Sequence, residues 1–301
     1  MDSKQIVSKA LAAGYVVPAF NIPHLPMLRP IAQAVADENS VGMIQVARLE
    51  WEKFEAESLE KVAEEYEKYK KPGHTLLHLD HVPVIDEDHL QVDYMAILRR
   101  AVAAGYQSLM VDASRLSLAG NIEATRQAAE LAHEAGIPIE AELGAVMGHE
   151  TSQQSIPYEE IFAKKMGFTQ VNEAVRFVEE SGCDWLSVAV GSVHGAIADN
   201  LLDKKKPAAK LDIERIAQLE AALGIPLVLH GGSGIEQEYI AKGIKAGIAK
   251  INVGTELRQP YEKAIREGAG VAAAQERVYN RCRELIRDFL CTAGDADILT
   301  K

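Results

Sequence analysis

Six polar residues stand at the ends of short apolar runs and could act together. Asp80 and His81 close TLLHLDH (75–81), Asp112 lies in SLMVDA (108–113), Glu142 in PIEAELG (138–144), His194 in the GSVHG after WLSVAV, and His230 ends PLVLH. Imidazole nitrogen suits Zn²⁺, and three protein ligands with an open fourth position are the pattern of a catalytic rather than a structural zinc site. His81, His194 and His230 are therefore expected to hold one metal ion. A lone histidine at a strand end is more often hydrogen-bonded to its neighbours than a ligand, but three at equivalent strand ends beside three acids reverse that balance. Of the other histidines, His78 lies inside a strand and reads as core, and His24 sits at a strand exit within reach of the site. His74, His89, His133 and His149 fall in loops or helices.

Glycine-rich turns ahead of helices add a second kind of chemistry, because their backbone N–H groups bind phosphate without a basic side chain. Gly231-Gly232-Ser233-Gly234 precedes a helix expected from near Ile235, and Gly254-Thr255 precedes one from near Glu256. The stretch from Gly268 to Ala273 matches GxGxxA, but it follows a helix rather than a strand and is no dinucleotide fingerprint. The acidic run Asp86-Glu87-Asp88 reads as a solvated loop leading into a helix start, where negative charge meets the helix dipole. Trp51 and Trp185 read as packing residues.

The elements that must position these groups follow from the apolar pattern. VVPAFNI (16–22), VGMIQVA (41–47), TLLHLDH, SLMVDA, PIEAELG, WLSVAVG (185–191), PLVLHGG (226–232) and AKINVGT (249–255) are continuous runs, as strands buried on both faces require. Amphipathic stretches separate them. Between Asn121 and Ala135, Ile122, Thr125, Ala128, Ala129 and Ala132 recur at helical spacing, and Gly136 with Pro138 ends the helix. Eight such units without a linker or composition shift predict a single α/β (β/α)8 TIM barrel, with its chemistry at the C-terminal ends of the strands. The barrel is expected over 1–270. Two parts exceed the minimal unit: a long loop after strand 5, 145–169, and a C-terminal helical extension over 271–301. In the extension Val278, Cys282, Leu285, Ile286, Phe289 and Leu290 form an apolar stripe that must pack on the barrel or on a partner subunit.

Composition sets the remaining bounds. The chain has 301 residues, 48% hydrophobic, with 44 acidic against 32 basic side chains and a net charge of -12. No basic block could neutralise a run of phosphates, which argues against nucleic acid. No apolar run spans a bilayer and the N-terminus lacks a signal-peptide pattern, so no membrane partner and a cytoplasmic location are expected. Cys183, Cys282 and Cys291 have no CxxC spacing and indicate neither a disulfide framework nor a thiolate zinc site.

With these residues in hand, the chain resembles the class II, zinc-dependent ketose-bisphosphate aldolases, the fructose- and tagatose-bisphosphate aldolase family. The resemblance runs from about Gly14 to Ile265 and rests on HLDH (78–81), EAELG (140–144), VAVGSVHG (188–195), PLVLHGGSG (226–234) and KINVGTELR (250–258), in family order. It implies a lyase of carbohydrate metabolism that reversibly cleaves a ketose 1-phosphate or 1,6-bisphosphate into dihydroxyacetone phosphate and an aldehyde. The intermediate would be a zinc-stabilised enediolate, for which no Schiff-base lysine is required. His81, His194 and His230 would hold the zinc, Asp112 and Glu142 would lie near the metal or hold a second divalent cation, and a monovalent cation would assist. Asp80 would be the acid-base residue at the C4 hydroxyl, and Glu150 in the long loop would move the C3 proton. Gly195, Gly231, Gly232, Ser233, Asn252, Val253, Gly254 and Thr255 would bind the substrate, and Arg258 matches an arginine that meets the second phosphate. The protein would be a homodimer or homotetramer acting on a phosphorylated sugar.

Departures concentrate at the aldehyde end. Gly254 stands where fructose-bisphosphate enzymes usually carry Asp, Ala47 where they carry Ser, and Val82 replaces a Gly; the role of Arg48 does not follow from the sequence. Fructose 1,6-bisphosphate is accordingly expected to be a poor substrate relative to tagatose 1,6-bisphosphate or to an adduct of some other aldehyde. Two alternatives share the residues: the same chemistry with a different aldehyde partner, and a catalytically silent accessory barrel, against which the intact Asp80, His81, His194 and His230 argue.

Overall fold

Each apolar run forms a strand. In the computed structural model, which describes residues 1–144, 158–192, 209–232 and 234–301, the strands are β1 (Val17–Asn21), β2 (Gly42–Ala47), β3 (Thr75–Pro83), β4 (Ser108–Asp112), β5 (Ile139–Leu143), β6 (Trp185–Val188), β7 (Leu227–Leu229) and β8 (Ile248–Val253). They pair in parallel and in sequence order, and β1 closes on β8 with Ala19 opposite Asn252. Every residue of β1, β2, β5, β6, β7 and β8 is buried, because helices cover the outer face while side chains fill the inside.

The helices are α1 (Ser3–Ala13), α2 (Leu28–Asp37), α3 (Arg48–Lys53), α4 (Leu59–Tyr69), α5 (Tyr94–Ala103), α6 (Leu118–Glu134), α7 (Tyr158–Ala163), α8 (Val171–Ser181), α9 (Ile213–Leu223), α10 (Gln237–Lys245), α11 (Thr255–Arg266), α12 (Gly270–Glu284) and α13 (Ala296–Leu299). Several begin on a side-chain cap: Asp93, Ser117 and Asp212 accept the N–H of Ala96, Gly120 and Arg215. Among the described residues no helix is long and apolar enough to cross a membrane.

The barrel interior has two zones. At the N-terminal ends of the strands Val17, Ala19, Met43, Leu76, Trp185, Val228 and Ala249 pack together, plugged by Ile6, Val7 and Ala10 of α1 and by Leu299 of α13. One or two residues further along the same strands the interior becomes polar.

Three expectations are corrected here. The stretch 145–169 is not all loop, since α7 occupies part of it; Tyr158 Oη donates to Gly191 O at 3.0 Å. Gly191 has φ +113°, and a Cβ there would lie 2.4 Å from Lys210 O, so this crossing admits only glycine. The acidic run is not a solvated lead into a helix: Asp86 is 5% exposed, its carboxylate accepts the N–H of Asp88 and Leu90, and α5 starts later on the Asp93 cap. A turn folded on its own carboxylate satisfies those donors locally. The helix after β7 starts at Gln237 rather than near Ile235, which instead bridges to Ala209.

The C-terminal residues pack on the barrel's flank. After α12 and a π-helical turn (Leu285–Phe289), Val278, Cys282, Leu285, Ile286 and Leu290 join the main core. Arg283 and Arg287 both bond the Glu38 carboxylate at the end of α2, and Asp295 accepts the N–H of Val41 at 2.9 Å.

Candidate metal centre and active site

The site begins with an irregularity in β3. Consecutive residues of a strand point to opposite faces, yet Asp80 and His81 both reach the polar end of the barrel. The β3–β4 register shifts between Leu79 and Val82, and His81 adopts φ +32°. An extra residue in one strand re-aims its side chains, and a left-handed histidine is a local strain held by its surroundings. The outcome is that Asp80 enters the barrel while His81 faces Asp112, with Nδ1 3.3 Å from Oδ2, and its ring centroid lies 4.4 Å from that of His230.

Two overlapping groups of donors converge there. Asp80, His81 and His230 offer ligand atoms within 4.8 Å of one another, as do His81, Asp112 and Glu142. His230 is fully buried between two acids, with Nε2 2.8 Å from Glu140 Oε1 and Nδ1 3.0 Å from Glu142 Oε2. A carboxylate on the far nitrogen of a metal-binding histidine fixes its ring and raises its basicity, and Glu140 is placed for that. Two imidazoles among convergent carboxylates in a buried pocket fit a divalent cation. His194, Gly195, Glu150 and Ser233 lie outside the described residues.

The charges tune one another. Burial alone would raise the Asp80 carboxyl, but the positive charges of His81, Lys250 and His230 outweigh it and hold the group below its ordinary range. Burial would lower His81, but Asp80, Asp112 and Glu142 push it up to about 10. His78, buried beside Lys250, is pushed down to about 3 and is neutral.

Residues outside the sequence-derived set, together with Asn252, hold this centre. Asp80 accepts from Asn21 Nδ2 at 2.9 Å, Gln45 Nε2 at 3.2 Å and Asn252 Nδ2 at 2.9 Å. Lys250, fully buried, donates to Asn252 Oδ1 at 2.7 Å and lies 2.9 Å from Glu140 Oε2. One ammonium thus joins the amide that holds Asp80 to the acid that holds His230. Asn21, Gln45, Glu140 and Lys250 did not emerge from the sequence reading, although a signal was available. Polar residues two apart inside apolar runs, as in His78-Leu79-Asp80, Glu140-Ala141-Glu142 and Lys250-Ile251-Asn252, mark one face of a strand.

The glycine turns border this centre. Gly231 has φ +67°, and a Cβ on Gly232 would fall 2.7 Å from Ile251 and 3.0 Å from Asn252 O, so both positions call for glycine. Thr255 opens α11 directly after Gly254, while Val253 is buried in β8. Arg258, one turn into α11, donates to both oxygens of Glu262 at 2.9 and 3.0 Å and stacks its guanidinium 5.2 Å from the Phe54 ring. Arg48 faces Asp86 at 3.5 Å. Beside Ala47 the buried Glu50 carboxyl accepts the Ala47 N–H at 2.8 Å and lies 3.4 Å from Asn21 Nδ2; burial, with Asp80 nearby, lifts it to about 8. His24 reaches this margin too, with its ring nitrogens 2.9 Å from Glu55 and 3.2 Å from Glu262.

A closed parallel barrel thus gathers histidines and acids that could hold a metal ion at one mouth, with glycine turns beside them. The family model for class-II fructose-bisphosphate aldolase matches residues 1–293, and the chain belongs to that family. Solved structures agree. The YdjI aldolase from Escherichia coli K12 is 28% identical over 98% of both chains, with a TM-score of 0.76. A candidate fructose-1,6-bisphosphate aldolase from Coccidioides immitis is 27% identical over 97% of this chain and 96% of that one, with a TM-score of 0.75. The fructose-bisphosphate aldolase from Campylobacter jejuni, at 18% identity and a TM-score of 0.72 over 97% and 96% of the two chains, shares the fold.

Proposed function

We propose that the protein is a zinc-dependent aldolase that reversibly joins dihydroxyacetone phosphate to an aldehyde, giving a ketose 1-phosphate or 1,6-bisphosphate. The observation that carries this reading is the convergence of Asp80, His81 and His230 donors within one 4.8 Å group, inside a chain of the class-II aldolase family. His81, His230 and His194 would hold the cation, with Asp112 and Glu142 beside it. Zinc bound there supplies a Lewis acid for the negative charge that develops on the ketone oxygen during cleavage.

The chain's own groups carry the remaining steps. In the cleavage direction Asp80 takes the C4 hydroxyl proton, the C3–C4 bond breaks, its electron pair stays on the ketone half, and the aldehyde departs. Asn21, Gln45 and Asn252 keep the Asp80 carboxylate aimed, a preorganisation that removes reorientation from the barrier. Glu150 would exchange the C3 proton. The backbone at Gly195, Gly231, Gly232 and Ser233, with Asn252, Val253, Gly254 and Thr255, would seat the dihydroxyacetone phosphate half, where a monovalent cation could assist. The assembly would be a homodimer or homotetramer. The test is aldol addition of dihydroxyacetone phosphate to a panel of aldehydes by the zinc-loaded protein, with product stereochemistry determined. Expected is product that depends on the metal; a loaded protein that forms none would overturn the reading.

A further inference from the structure

Deepening that reading and resting on its placement of Asp80 at C4, we infer that the aldehyde half-site takes a neutral, polyhydroxylated aldehyde. The carbon–carbon bond handled would then belong to a ketose that carries its only phosphate on C1. The relevant surface runs outward from Asp80 through Asn21 to Gly254, then one turn along α11 to Arg258. Asn21 donates to Asp80, a Cβ on Gly254 would meet Asn21 at 3.5 Å, and the Arg258 N–H bonds Gly254 O at 3.0 Å.

A phosphate at the far end of the aldehyde would be met on this surface by arginines, and those among the described residues already have carboxylates. Arg258 is 7% exposed, gives Nη1 to both oxygens of Glu262 and is covered by Phe54. Glu262 is itself anchored, since His24 Nε2 lies 3.2 Å from its Oε1, and the His24 ring stacks on Tyr261 with centroids 5.0 Å apart. Arg48 lies 3.5 Å from Asp86 and 3.9 Å from Glu52. Among the described residues this margin therefore sets Arg48 and Arg258 against Glu52, Glu55, Asp86 and Glu262, a field that repels a second phosphate.

The same margin suits hydroxyl groups. Gly254 has an ordinary backbone, and its missing side chain would make only van der Waals contact, so nothing in the backbone requires glycine there. Its absence opens space beside Asn21 and Asp80 where the carbons beyond C4 would run. Glu50 and Asn21 border that space with groups that accept from, or donate to, sugar hydroxyls.

The experiment compares glyceraldehyde with glyceraldehyde 3-phosphate as acceptors for dihydroxyacetone phosphate, using zinc-loaded full-length protein. In each addition a base takes the C3 proton of dihydroxyacetone phosphate, the freed electron pair bonds C3 to the aldehyde carbon, and the aldehyde oxygen takes the proton that Asp80 carries. The neutral aldehyde is expected to have the higher kcat/KM, by at least about tenfold, the scale of one unmade charge-assisted contact. Glu262→Gln, which releases Arg258, should lower KM for the phosphorylated acceptor by about tenfold and leave KM for glyceraldehyde within about twofold. A wild-type preference for the phosphorylated acceptor overturns the inference, as does a Glu262→Gln variant with an unchanged ratio. If that variant does not fold, the wild-type ratio decides alone. Product from neither acceptor overturns the aldolase reading itself, a result distinct from product with the opposite preference.

Discussion

The two ends of the barrel interior are built from the same strands and do opposite work. Along β1 the inward side chains read Val17, Ala19, Asn21; along β3, Leu76, His78, Asp80; along β6, Trp185, Ser187; and in and just after β7, Val228, His230. The first members pack into the apolar cluster beneath α1, and the later ones enter the hydrogen-bonded network around Asp80 and His230. One step of two residues, about 6.6 Å along a strand, separates packing from chemistry. The lesson is that the chain separates apolar packing from its convergent polar groups by position along a strand rather than by element, the division expected of a barrel whose chemistry sits at the C-terminal ends.

Replacing His81 and His230 together by Ala is the strongest test of that division. Bound zinc and aldolase activity should both be lost, the latter by at least about 10³-fold since several kcal/mol of charge stabilisation vanish. Metal analysis of the purified variant decides it, and full zinc occupancy would remove these residues from the centre. Asp80→Ala should keep the metal and lose carbon–carbon cleavage by at least about 10²-fold, because it deletes an acid-base group. Near-normal cleavage would move that role elsewhere.

The next pair asks whether the polar end also carries stability. Lys250→Met leaves Glu140 buried without its ammonium and should lower unfolding free energy by about 3–5 kcal/mol. Leu76→Ala at the apolar end should lower it by about 2–5 kcal/mol through a cavity. Only the first should also change KM and kcat of the folded enzyme; denaturant melts beside kinetics at low temperature separate the two.

The smallest effect concerns pH at the apolar end, where Asp295 caps the start of β2. Burial raises its pKa from the ordinary carboxylate value of 3.8 to about 7. The folded form then binds the proton more tightly than the unfolded chain, so this group's contribution to stability is fully present below about pH 4 and is lost as pH rises toward 7. Asp295→Asn should flatten that part of the profile, with Tm near pH 8 higher than wild type by roughly 2–4 °C. Parallel Tm profiles for the two proteins would show that the buried carboxyl titrates no differently on folding.

Much of the architecture was legible because burial on both faces leaves continuous apolar runs, and all eight runs became strands. The rim position of Asp80, His81, Asp112, Glu142 and His230 could be read the same way, from their place at the C-terminal ends of those runs. The partners of these groups could not. Glu140 touches His230 across 90 positions of sequence and Asn252 touches Asp80 across 172. Such contacts depend on strand register and barrel closure, which no local pattern encodes. Asp86 misled for a related reason: a charged run looks solvated until a turn folds back on its carboxylate and Arg48 comes to face it.

The sequence by itself determined the eight strand segments, the residue types at their ends and the glycine turns, since these depend on composition and periodicity within short windows, and it pointed to the family through motifs such as HLDH and PLVLHGGSG. Only the tertiary structure decided how Asp80 and His81, neighbours in one strand, both turn toward that mouth, because a bulge and a left-handed histidine must break the strand's alternation there. It alone also decided that Lys250 joins Asn252 to Glu140 and that Arg258 is held by Glu262. A charged side chain takes whichever partner the packed backbone brings within about 3 Å, and that geometry exists only once the barrel has closed.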